Sequence, residues 1–129
     1  MIYLDTSVAL AQLLAEDRRP PNWLWAETLV ASRLLEYELW GRIHARKLAR
    51  THGELVQGLL GRLAILELSP AVLSRALEPF PAPVRTLDAL HLASLDYLKR
   101  NGQTIALASY DRRMLAAAAA LQVEAVDLD

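Results

Sequence analysis

Four of the 15 acidic residues stand where chemistry could use them. Asp5 ends a short apolar run, Ile2-Tyr3-Leu4, and opens a helical stretch. Asp111 stands in the same relation to the run Thr104–Ala108. Asp88 falls in the first turn of a helix whose other positions, Leu87, Leu90, Leu92, Ala93 and Leu95, are nearly all apolar, and His91 three residues on shares its face. Glu38 lies inside a helix, with Leu34, Leu35, Gly41, Arg42 and Ala45 at helical spacing.

Each has a structural reading beside the chemical one. Asp5 and Asp111 suit helix N-caps, and taken singly that reading is preferred. Asp88 in a first turn gains ~0.3–1 kcal/mol from the helix dipole. His91 reads as a core histidine satisfied by a hydrogen bond rather than as a metal ligand. Glu38 is the most informative, because it caps nothing. An acid on a largely apolar stripe is costly unless paired or metal-bound. Its structural alternative is an ion pair with Arg42 at i+4, worth a few tenths of a kcal/mol.

Together the four say more. Parallel α/β sheets bind ligands at the carboxyl edge of their strands, where Asp5 and Asp111 emerge. Two helices can bring Glu38 and Asp88 to the same point. Crowded carboxylates raise one another's pKa unless a cation neutralises them, and hard oxygen-seeking Mg²⁺ or Mn²⁺ does so. Such sites hydrolyse phosphodiesters, activating a water and steadying the leaving oxygen, sometimes with a second ion ~3.5–4 Å away. Other chemistries lack their residues. There is no Cys, no G-x-G-x-x-G, P-loop, G-x-S-x-G or H-E-x-x-H, and the three His are not spaced as a metal cluster.

The elements that must position these acids alternate. Strands are expected at Ile2–Leu4, Thr28–Ala31, Ala64–Leu68, Thr104–Ala108 and Val123–Leu128. Helices are expected over Val8–Ala15, from Ser32 as cap to about Leu48, from Thr51 or His52 to near Arg62, from Ser69-Pro70, from Thr86 as cap to about Arg100, and after Asp111. Prolines 79, 81 and 83 make a loop too short to separate domains. The expectation is one α/β domain over residues 1–129, three layers deep, with a central parallel sheet of about five strands.

Composition sets outer bounds. The chain's 129 residues suit one domain, and 53% of them are hydrophobic with a single Phe, so aliphatic side chains must fill the core. With 14 basic and 15 acidic residues the net charge is −1, which is no signature of a nucleic-acid binder. Affinity for nucleic acid would have to come from metal ions or a local patch, such as Arg33, Arg42, Arg46, Lys47 and Arg50, opposed by Glu36 and Glu38. A solvated helix face explains that patch at least as well. The amino terminus lacks the pattern of a signal peptide and no apolar run spans a bilayer, so a soluble, cytoplasmic protein is expected, with no membrane partner.

Four blocks, in order, resemble the PIN-domain family: Ile2-Tyr3-Leu4-Asp5-Thr6-Ser7, Ser32 through Glu38-Leu39, Leu87-Asp88-Ala89-Leu90-His91-Leu92-Ala93, and Ser109-Tyr110-Asp111-Arg112-Arg113. No single block is specific, but the ordered set is. The similarity covers nearly the whole chain, and the length is that of a VapC-like toxin of a type II toxin–antitoxin pair. The resemblance implies a Mg²⁺- or Mn²⁺-dependent endoribonuclease. Asp5, Glu38, Asp88 and Asp111 match the family's acidic metal positions, and Ser109 matches a small hydroxyl residue beside the last acid. It also implies a homodimer, a VapB-like antitoxin whose tail covers the active groove, and a tRNA or ribosomal RNA target. Some members carry a further acid just after the last block, where this chain has Arg112 and Arg113. Those arginines, beside Asp111, are placed to touch substrate. Trp23 and Trp25 suit either an antitoxin surface or core, and Trp40 suits core. Alternative readings are a PIN nuclease for RNA processing or DNA structures, a non-catalytic module of the same fold, and, more weakly, an aspartyl-phosphate phosphatase.

Overall fold

The computed structural model describes every residue from Met1 to Asp129. Strands β1 (Ile2–Leu4), β2 (Leu29–Ser32), β3 (Ala64–Leu66) and β4 (Ala106–Ala108) form one sheet in the order β3-β2-β1-β4. Every pairing is parallel. The helices are α1 (Thr6–Leu14), α2 (Arg33–Ala45), α3 (Ala49–Leu60), α4 (Pro70–Ala76), α5 (Thr86–Arg100) and α6 (Arg112–Ala120). A single 3-10 turn, Asn22–Ala26, leads into β2.

Alternation along the strands divides the core into two layers. Leu4, Leu29 and Ala31 face α1, α2 and α3, packing with Val8, Leu35, Leu39, Ile43 and Val56. Their strand neighbours Tyr3, Val30 and Leu107 face the other way, onto Leu92, Leu95, Met114 and Ala117 of α5 and α6. Helix α4 packs on α5. This is the expected three-layer arrangement, and fourteen buried residues on one face against nine on the other leave the α1–α3 side with the larger core.

The sheet has four strands rather than about five. Where a fifth was expected, the chain meets β4 at a single parallel bridge, Leu107 to Ala125. The Leu107 amide donates to Glu124 (2.9 Å) and the Val126 amide to Leu107 (2.8 Å). Val123 reaches one core cluster and Val126 and Leu128 pack on the other, with Glu124 and Asp127 between them, so side-chain packing rather than a ladder holds the segment and pairing stops after one residue. Strands β3 and β4 are likewise shorter than expected.

Helix boundaries differ where the backbone overrides propensity. Lys47 takes a left-handed conformation (φ 57°), which closes α2 before Leu48, and α3 starts at Ala49 rather than at Thr51 or His52. Ser32 and Ser69 cap α2 and α4 as expected. Thr86 is not a cap: it is the first residue of α5, and the cap position is Arg85, whose side chain makes no capping bond. The break between α4 and α5 is the proline loop. No helix is long and apolar enough to cross a membrane.

Candidate active site

Strands β1 and β4 pair in parallel with Leu4 opposite Ala108, so the residues that follow them emerge together at the carboxyl edge. The Asp5 amide extends the ladder by donating to Ala108 (3.0 Å). Two serines then stitch the strand–helix junctions. Ser109 Oγ donates to Asp5 Oδ2 (2.8 Å), and Ser7 Oγ donates to the same oxygen (2.6 Å). Ser7 Oγ also accepts from the Tyr110 amide (3.0 Å), and Ser109 Oγ from the Asp111 amide (2.9 Å).

The two strand-end aspartates therefore differ. Asp5 occupies the cap position of α1 but its carboxylate makes no capping bond, so the capping role is wrong for it. Asp111 does cap α6: Oδ1 accepts from the amides of Arg113 (2.9 Å) and Met114 (3.4 Å). Its Oδ2 has no protein partner.

Glu38 does not pair with Arg42. Its Oε1 contacts His91 Nε2 (2.6 Å) and accepts from Thr6 Oγ1 (2.8 Å). His91 is buried, and its Nδ1 lies 2.8 Å from the Tyr3 hydroxyl. The expectation of a hydrogen-bonded core histidine is met, with Glu38 as an unforeseen partner. Tyr3, Thr6 and Ser7 are the residues that sequence reasoning missed. They stood in the sequence only as members of the first block around Asp5, with no task of their own.

Asp88 is partly buried and makes no hydrogen bond or ion pair. Its pKa is raised, chiefly by desolvation, then by the charges of Asp111 and Asp5, with His91 and Arg85 opposing. That coupling puts Asp88 in the same electrostatic neighbourhood as the two strand-end acids. Glu38 reaches the same edge through Thr6, next in the chain to Asp5.

A pattern runs through the set. Asp5, Glu38 and Asp111 are each held by the protein through one carboxylate oxygen, while the other makes no hydrogen bond; Asp88 is free at both. This donor set is all carboxylate oxygen, the preference of hard divalent cations, and both nitrogens of the nearby His91 are already engaged. In this side-chain arrangement no three of these groups are close enough to hold one ion together. Like charges repel without a counter-ion, and Glu38 leans to His91.

One cavity is lined by Asp88 and a second by chain neighbours of Asp111. The first, of about 410 Å³, is lined by Val84, Arg85, Asp88, Leu92, Arg113 and Ala117. The second, of about 740 Å³, is lined among others by Arg18, Ser109, Tyr110 and Arg112. Adjacent arginines thus face different clefts. Arg18 lies over the Tyr110 ring (5.5 Å), whose hydroxyl is pushed up in pKa by burial and Asp129. The basic patch on α2 is smaller than its sequence suggested, because Arg33 is paired with Glu36 and Glu67. Trp40 and Trp25 pack against the larger core cluster, whereas Trp23 is 46% exposed.

The PIN domain family model matches residues 2–121, a span that contains all four acids. The chain belongs to the PIN-domain family. Similar curated proteins include two from Mycobacterium tuberculosis. Ribonuclease VapC47 is 33% identical over 122 residues, covering 89% of this chain and 88% of that protein. Ribonuclease VapC35 is 35% identical over 132 aligned positions, covering 98% and 96%. This PIN domain thus resembles VapC ribonucleases along nearly its whole length, as the four sequence blocks implied.

Proposed function

We propose that this PIN domain is a divalent-metal-dependent endoribonuclease that acts as the toxin of a VapBC-type toxin–antitoxin pair. The observation that carries the reading is that Asp5 and Asp111 leave paired strands at one sheet edge, with the charge of Asp88 coupled to both and Glu38 tied in through Thr6. Asp5, Glu38, Asp88 and Asp111 would hold Mg²⁺ or Mn²⁺. The ion, when bound, supplies the positive charge that activates a water and steadies the leaving oxygen. The similarity to two VapC ribonucleases supports RNA as the substrate class.

The chain's own residues have distinct tasks in this reading. Ser7 and Ser109 fix the Asp5 carboxylate, and Asp111 is fixed by the α6 amides it caps. Arg113 with Arg85 on one side of the acids, and Arg112 on the other, neutralise backbone phosphates as the RNA strand crosses the edge. By the same family reading the protein is a cytoplasmic homodimer, restrained by a VapB-like antitoxin, that cuts tRNA or ribosomal RNA. Trp23, exposed, offers the antitoxin an aromatic contact.

The test is incubation of purified, antitoxin-free protein with total RNA in Mg²⁺ or Mn²⁺, with EDTA and Asp88→Asn as controls. Discrete cleavage abolished by both is expected. Equal cleavage by Asp88→Asn would overturn the site, and cleavage that survives EDTA would overturn the metal.

A further inference from the structure

The buried pair Tyr3 and His91 has no place in the four-acid site as such. Tyr3 is 1% exposed and His91 2%, yet both carry polar groups that a core of this kind excludes unless they are satisfied. They satisfy each other and one acid. The Tyr3 hydroxyl lies 2.8 Å from His91 Nδ1, and His91 Nε2 lies 2.6 Å from Glu38 Oε1. Thr6 Oγ1 donates to the same carboxylate oxygen at 2.8 Å and lies 3.4 Å from His91 Nε2. Four elements meet here: Tyr3 from β1, Thr6 from α1, His91 from α5, and the acid from α2.

The network sets the direction of the bonds. The Tyr3 hydroxyl is a phenol, which carries its proton at neutral pH and so has one to give. With Tyr3 donating to Nδ1, the imidazole carries its proton on Nε2, aimed at Glu38 Oε1. Oε1 thus receives from Thr6 and from His91, while Oε2 makes no hydrogen bond. Two donors on one oxygen restrict the rotation of the carboxylate and decide which oxygen it presents.

We infer that Tyr3, Thr6 and His91 form a positioning relay that locks Glu38 by Oε1 and presents Oε2 to the ion site. The inference deepens the metal-dependent reading above and rests on it. His91 is a positioning residue, acting through Glu38 and touching neither ion nor RNA. The arrangement is the carboxylate counterpart of the outer hydrogen bonds that orient metal-bound histidines, where loss of the outer partner typically costs ~10–100-fold in affinity or activity.

Calorimetric titration of Mn²⁺ into metal-free wild type, His91→Ala, His91→Gln and Tyr3→Phe tests this, with melting curves for each and cleavage kinetics alongside. Wild type is expected to bind Mn²⁺. His91→Ala should bind it roughly 10-fold or more weakly, with kcat reduced and KM for RNA unchanged. His91→Gln, whose amide keeps a donor facing Glu38, should recover most of the affinity. Tyr3→Phe should lose a few-fold, since the imidazole keeps its contact but not its fixed tautomer. If His91→Ala fails to fold, Tyr3→Phe and His91→Gln carry the comparison. His91→Ala and Tyr3→Phe variants that bind Mn²⁺ as wild type does would overturn the relay while leaving the metal-dependent reading intact. A wild type that binds no Mn²⁺ would overturn that reading and the relay with it.

Discussion

At the scale of single residues, Asp5, Glu38 and Asp111 each divide their two oxygens, one held by the protein and the other without a hydrogen bond. Asp111 shows why weighing cap against ligand posed a false choice: one oxygen caps α6 and the other remains available. Asp5 shows the reverse, a cap position whose side chain turns instead to Ser7 and Ser109. Ser109→Ala is therefore expected to lower cleavage by about 10-fold, since it loosens Asp5 without removing it; single-turnover rates on a fixed RNA would check this. Asp88 gives a prediction with a sign. Its pKa is raised by burial and by Asp111 and Asp5, so its protonated form is the one that folding favours. That contribution is complete below the ordinary aspartate range and is lost as pH rises through the raised value. Metal-free Asp88→Asn should accordingly melt higher than wild type at pH 7, by roughly 1–4 °C, with the gain shrinking towards low pH, while cleavage falls by more than ~100-fold. Calorimetry of both proteins at pH 4 and pH 7, without metal, would expose an opposite sign. The placing of Asp5 and Asp111 at strand ends and of Asp88 in a first turn was legible in the sequence, because such positions are local. The partner of Glu38 was not, because His91 lies 53 positions away and only the packing of α5 against the sheet brings it near.

At the scale of elements, the alternation of strand and helix was legible from periodicity and capping residues, and Ser32 and Ser69 act as that pattern required. What could not be read were features set by distant contacts. The expected fifth strand shrinks to one bridge because pairing depends on how β4 presents its outer edge. Lys47 ends α2 through a backbone conformation that its side chain does not announce. Helix α4 is tied to α5 by a buried ion pair, Arg75 Nε to Asp96 Oδ2 at 2.6 Å, which Arg100 joins at 3.0 Å. Arg75 also stacks over Phe80, the chain's single Phe, at 4.3 Å. Arg75→Ala strips Asp96 of its buried partner and should destabilise the protein by about 3 kcal/mol in urea unfolding, whereas Arg75→Met with Asp96→Leu should be close to neutral. Equal losses in both variants would mean that α4 is held by packing, not by charge.

At the scale of the whole molecule, a net charge of −1 gives RNA no general attraction to this protein. Binding should depend on a few phosphate contacts, and its salt dependence should be correspondingly shallow. Arg113→Ala is expected to reduce the slope of log affinity against log salt by about 0.7, the value for one single-strand phosphate contact, and Arg112→Ala to do the same independently. Filter binding of Asp88→Asn protein, which holds RNA without cutting it, would measure both; unchanged slopes would remove these arginines from the substrate path.

The stitch between Ser109 and Asp5 joins residues 104 positions apart, and it has a consequence for how the protein is made. Asp5 and Glu38 precede the proline loop; Asp88 and Asp111 follow it. A growing chain holds only half of these acids until Asp88 and Asp111 have been made, and β1 lacks its β4 neighbour until then. On the function proposed above, cleavage during translation has to wait for the two halves to meet.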